Sequence, residues 1–162
     1  HALSLICRGG GQIQYFYSVG QHSINCAREA LARGWSDRMA LACLLHDASE
    51  CYISDVIRPV KVHLQNYLEI ESMIMDAIWK KFHLDDLTDE EDQKWKQIDN
   101  ELLELELKTL MKGEKDRESI PLSSAPDLSE RSFHSVETEF KELALELSHL
   151  PYSTDEDSPS RL

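Results

Sequence analysis

The chain has 162 residues, 41% of them apolar and 7% aromatic, enough for one globular domain with a sizeable core. Its 17 basic residues face 30 acidic ones, a net charge of −13. That balance disfavours nucleic-acid polymers and anionic membrane surfaces as partners, but not a small anion held by local cations. No apolar run reaches about 18 residues, so no membrane-spanning helix is expected. The chain opens at His1 and not at methionine, which implies sequence ahead of it, lost or removed. Cys7, Cys26, Cys43 and Cys51 form no C-x-x-C pair and sit in apolar, helical contexts. They read as small core residues of a cytoplasmic protein, and a thiolate zinc site is not expected.

Residues 1–8 read as the end of a helix, broken by Gly9, Gly10 and Gly11, with Arg8 the one cation at the junction. Residues 12–17 form a loop or short extended piece. Ser18 and Gln21 fit a capping box. The helix they open runs to Arg33, with Gly34 as a stop. Its apolar stripe is Ile24, Ala27 and Leu31, and His22 lies at the edge of it beside Cys26. A lone histidine there is more often structural than a ligand, unless other ligands face it.

Ser36 caps the next helix, expected to run to about Ile53. Residues 40–45 are apolar on every side, so this helix lies in a core. His46, Asp47 and Glu50 follow directly. A buried carboxylate is costly unless a cation, a proton or hydrogen bonds compensate it. A self-satisfied His-Asp pair is one answer. A bound metal ion is the other, because histidine and aspartate are ordinary ligands. His46 and Glu50 are four apart and share a helix face, with Asp47 about 100° round from His46.

Asp55 falls in a turn over residues 54–59, before Arg58, Pro59, Val60 and Lys61. Pro59 suits the first position of a new helix. Tyr67, Ile70, Ile74, Ile78 and Phe82 give that helix a stripe to about Lys81. His63 and His83 read as surface residues. The acidic run 85–92 is a solvated helix start and lacks the spacing of a calcium loop. The helix over 90–111 carries Trp95, Ile98, Leu102 and Leu105 inward. Asp99 sits inside that stripe, a second buried carboxylate, whereas Glu101, Glu104 and Glu106 reach solvent more easily. Residues 112–126 read as a mobile loop. A last amphipathic helix spans 129–150, with Val136, Phe140, Leu143, Ala144 and Leu147 inward. His134 and His149 have no partner at ligand spacing. A charged, disordered tail follows over 151–162. The expected fold is all-α, one compact bundle of five or six helices over residues 1–150.

His22, His46-Asp47 and Asp99 thus converge from three helices. This H…HD…D pattern resembles the HD-domain metal-dependent phosphohydrolases, most of all their small nucleotide-hydrolysing branch, the bacterial 5′-deoxynucleotidase group. The resemblance rests on residues 17–23 around His22, residues 44–50 around His46-Asp47, Asp55 with residues 58–61, and Ile98-Asp99. It implies that His22, His46, Asp47 and Asp99 hold one divalent ion (manganese, cobalt, iron, magnesium or zinc). It further implies catalytic or water-orienting roles for Glu50 and Asp55. Arg8, fourteen residues before His22, resembles that branch's substrate-phosphate arginine. Gly9 stands where the branch carries tryptophan. Lys61 would add a second cation for phosphate. The expected activity is 5′-nucleotidase-type hydrolysis of a nucleotide phosphomonoester. Alternatives are an HD-type nucleoside triphosphate or alarmone hydrolase, or a non-enzymatic helical interaction domain stapled by metal. The expected partner is a small nucleotide, with self-association left open.

The chemistry agrees with the resemblance. Two imidazoles and two carboxylates leave open positions on a divalent ion for water and a phosphate oxygen. A nearby carboxylate can then accept or return a proton.

Overall fold

A computed structural model describes residues 1–149, and the expected tail 151–162 lies outside them. The described residues are helical and contain no named strand; Cys7 and Ser18 make one isolated antiparallel bridge. The helices are α1 Ala2–Leu5, α2 Val19–Ala32, α3 Asp37–Leu45, α4 Glu50–Ile53, α5 Arg58–Lys61, α6 Gln65–Lys81, α7 Asp89–Leu110 and α8 Phe133–Ser148. Eight replace the expected five or six because two long helices are interrupted. The one expected through Ile53 stops at Leu45, and residues 46–49 turn before α4. The one expected from Pro59 to Lys81 breaks between α5 and α6. No described helix is long and apolar enough to cross a membrane.

Helix α2 is the centre of the bundle. Ser18 caps it by accepting from the Gln21 backbone N–H at 3.1 Å. Only half of the expected capping box forms. The Gln21 side chain instead donates to the carbonyls of Asp127 and Ser129. A full box occurs at Thr88 and Glu91, which start α7. Small residues on α2 and α3 (Ala27, Ala30, Ala40, Ala42) let the two helices pack closely, and α7 and α8 close the core with Ile98, Leu102, Val136 and Leu147. Gly20 is needed where α1 and α8 meet α2. A Cβ there would stand 3.2 Å from both the Leu3 carbonyl oxygen and Val136.

Most polar residues of α2 are buried as well, and all of these but Ser23 have a hydrogen-bond partner. Glu29 accepts from the backbone N–H groups of Ser123 and Ser124, from the Ser124 hydroxyl and from Arg33. Burial alone would raise its pKa; the hydrogen bonds from Ser124 and Ser123 outweigh that and lower it. Asn25 exchanges hydrogen bonds with the backbone of Asp127. The loop expected to be mobile is therefore irregular, as its composition implies, but fastened to α2 at its far end.

Helix α6 departs from expectation. Its apolar period is present, yet only Met75 is buried, and Ile70 and Met73 face solvent. Its C-terminal end packs half-buried on the core through Ile78, Trp79 and the following Phe82, and it also touches the short α4. Helical periodicity marks a stripe; burial needs a partner surface, and only the C-terminal end of α6 finds the core.

Candidate metal centre

The turn at residues 46–49 has a local cause. His46 closes α3 with its Nδ1 2.8 Å from the Cys43 carbonyl, and Asp47 then leaves the helical line. Helix α4 restarts at Glu50 and ends at Ser54, which has φ 67° and ψ 162°. That conformation costs a non-glycine residue about 1–3 kcal/mol. It is held by the Ser54 N–H on the Glu50 carbonyl and by the Tyr67 hydroxyl on the Ser54 carbonyl. The strained turn aims Asp55 at the opposite wall, where its carboxylate accepts from the Gly9 N–H at 2.7 Å.

His22 from α2, His46 and Asp47 from the end of α3, and Asp99 from α7 come together. One donor atom from each lies within 4.8 Å of all the others. The Nε2 atoms of His22 and His46 are 3.3 Å apart, and Asp99 Oδ1 is 3.2 Å from the former and 3.7 Å from the latter. Both imidazoles are oriented from behind. His46 Nδ1–H donates to the Cys43 carbonyl, and His22 Nδ1–H donates to Glu106 at 2.7 Å. With both Nδ1 protons committed, both Nε2 atoms face the centre and offer a lone pair when the rings are neutral. This is the arrangement a cation needs, since ligating histidines are fixed through their second nitrogen. The donor set therefore fits a divalent ion.

Burial opposes charge on His46, but Asp47 and Asp99 outweigh it and raise its pKa well above the ordinary value. Asp99 and Asp47 are themselves held far below the usual carboxylate range: burial works against this, and the imidazoles, with Arg8 beside Asp47, prevail. Anions buried this deeply require positive charge among them.

Glu106 was not expected here. It is buried, and one carboxylate oxygen takes both the His22 Nδ1–H and the Tyr17 hydroxyl at 2.7 Å. Asn25 donates to the same tyrosine. Of the three glutamates thought to reach solvent, Glu106 is thus the exception; Glu101 pairs with Arg33, and Glu104 with Arg117. Glu106→Gln keeps the size but removes the charge that makes His22 basic. It should weaken divalent-ion binding about 10- to 100-fold, measured by competition with a chelator. Unchanged affinity would leave Glu106 a core hydrogen-bonding residue only.

Cys26 packs against the centre, its sulfur 3.5 Å from His22 Nε2. With the two histidines it forms a second three-donor group. Burial, then Asp99, push its thiol well up, so it stands there protonated.

A pocket of about 400 Å³ opens beside Asp47 and Asp99. Glu50, Asp55, Arg8 and Lys61 line it, as the site reading requires, together with Arg58. Its remaining wall is aliphatic: Ile13, Ile57, Leu103, Leu107 and Leu110. Glu50 is 3% exposed, and its Oε2 is buried without a hydrogen-bond partner. Burial and the anions Asp47 and Asp55 push its pKa up to about 9. Lys61 is less available than expected, since its ammonium lies 2.5 Å from Glu71 and over the Tyr67 ring. Arg58 does not pair with Glu50. It donates to Asn100 and Asp99, and its side chain remains largely exposed at the pocket. Arg8 is not a helix-end charge. Its guanidinium enters the donor set, 2.9 Å from Asp47 Oδ2 and 2.9 Å from His22 Nε2.

Fold and site together define an all-α protein with a buried His/Asp group suited to a metal ion. No family model matches the chain. It is similar to the uncharacterized protein YfdR of Escherichia coli, with 36% identity over 83 residues, covering 51% of this chain and 44% of that protein. It is also similar to an uncharacterized protein of Rhodobacter capsulatus, with 38% identity over 90 residues, covering 52% of this chain and 45% of that protein. The chain thus matches less than half the length of these curated relatives.

Proposed function

We propose that this chain is an HD-type, divalent-metal-dependent phosphohydrolase that cleaves the phosphomonoester of a nucleotide. One observation carries the reading: four oriented donors from three helices meet beside a pocket that also holds an unpartnered, proton-bearing glutamate. His22, His46, Asp47 and Asp99 would hold the ion. When bound, such an ion neutralises phosphoryl charge and acidifies a water.

The other residues supply what remains. Arg58 presents a guanidinium group that matches a phosphate's oxygens, and Arg8 lines the same pocket. The aliphatic wall accepts the sugar and base, and a volume of about 400 Å³ is in the range of small-ligand pockets. Glu50, protonated at neutral pH, can give its proton from the carboxyl oxygen to the leaving 5′-oxygen. Asp55, held through one oxygen by the Gly9 N–H, lines the same pocket and can orient a water.

A phosphate-release screen over nucleoside mono- and triphosphates, with each divalent metal in turn, tests this reading. Release of inorganic phosphate from monophosphates is expected, dependent on metal and abolished by a chelator. Tripolyphosphate from triphosphates would move the chain to the triphosphohydrolase branch. A metal-loaded chain that releases nothing from any nucleotide would overturn the proposal.

A further inference from the structure

We infer that Arg8 is the site's own internal cation, and that a divalent ion must displace its guanidinium from the ligand atoms in order to bind. This rests on the metal reading of the same site and adds a competitor to it. The guanidinium contacts three of the four ligand residues: Asp47 Oδ2 at 2.9 Å, His22 Nε2 at 2.9 Å and Asp99 Oδ1 at 3.4 Å. The contact with His22 decides the matter. A neutral imidazole has one lone pair, and the Nδ1–H of His22 is committed to Glu106. The Nε2 lone pair is the only ligand atom His22 offers. It can accept an Arg8 N–H or hold a metal, not both.

The surroundings confine the exchange to the side chain. The Arg8 backbone N–H donates to the Tyr17 carbonyl at 2.9 Å, and the next N–H, of Gly9, is held by Asp55. The main chain is thus pinned on both sides of the Arg8 Cα. The side chain is long and lines the pocket, so a rotation carries the guanidinium from the donors into that space. Its new position is beside the ion, where an anion would enter. One event then creates both halves of a phosphate site, and metal and inorganic phosphate should each tighten the binding of the other.

Two measurements test this on the full chain. In the first, the Arg8 side-chain Nε–H resonance, assigned through the backbone, is followed by NMR while magnesium or zinc is added. A changed resonance at saturation is expected. In the second, Arg8→Lys, which keeps the charge but cannot span three acceptors, should bind the ion about tenfold more tightly by chelator competition. Ion binding with an unmoved Arg8 resonance, or a variant that binds no more tightly, would overturn the inference while leaving the metal reading intact. A chain that binds no divalent ion overturns both. The resonance experiment needs no variant, so misfolding of Arg8→Lys would not block the test.

Discussion

Under the proposed phosphohydrolase reading, Asp99→Ala should abolish divalent-ion binding and cut phosphate release by about 10³ or more, because the metal's charge stabilisation would be worth several kcal/mol. Asp99 is the one donor supplied by α7. Its Oδ1 faces both imidazoles and Arg8, and its Oδ2 faces Arg58. It therefore joins α7 to the ligands of α2 and α3. Alanine leaves the two histidines and Asp47 in place, too few donors on one side of the ion to hold it well. The melting temperature should also fall, since two guanidinium groups lose a charged acceptor. Metal analysis of the purified variant beside the parent checks the first effect, and phosphate release the second. A full metal complement in Asp99→Ala would remove Asp99 from the ligand set.

How much of this was legible in the sequence differs by residue. His46, Asp47 and Asp99 could be found because each interrupts an apolar pattern, and an ionisable side chain in such a place needs a physical reason. His22 became readable only through them. Glu106 escaped although the signal was there. It lies seven residues after Asp99, two turns on along the same face of α7. Glutamates at 101, 104 and 106 look alike in a list, and only the third finds a histidine and a tyrosine beneath it. Glu29 escaped for the same reason, because Ser123 and Ser124, which bury it, come from 94 and 95 residues away. The break in the third helix had no local signal either. Residues 45–50 contain no glycine or proline; the turn is made by local contacts such as His46 Nδ1 on the Cys43 carbonyl, which composition does not announce. On α6 the reverse happened: the periodic signal was clear, but among the described residues no surface covers Ile70 of the expected stripe.

Glu50→Gln separates a ligand from a proton donor, and here a fall in turnover of about 10²–10⁴ is expected with metal content close to the parent's. The reason is the state of the carboxyl group. Burial and the nearby Asp47 and Asp55 raise its pKa to about 9, so the side chain is protonated at neutral pH in the ion-free site. Glutamine matches that neutral form in size and polarity, so binding and folding should change little. It cannot release a proton to a leaving alkoxide. The sign of the pH dependence follows. For a group whose folded pKa is raised, the protonated form is favoured from below its ordinary 4.5 up to about 9. Activity that needs the acid should therefore persist through neutral pH and decline as pH rises through about 9. Glu50→Gln should lose that alkaline limb along with the rate. The contrary case is a glutamate that serves α4 as a helix-end charge. Arg58, the partner such a role would need, is turned to Asp99 and Asn100. A fully active Glu50→Gln with an unaltered pH profile would take Glu50 out of the mechanism and leave Asp55 as the carboxylate that handles the proton.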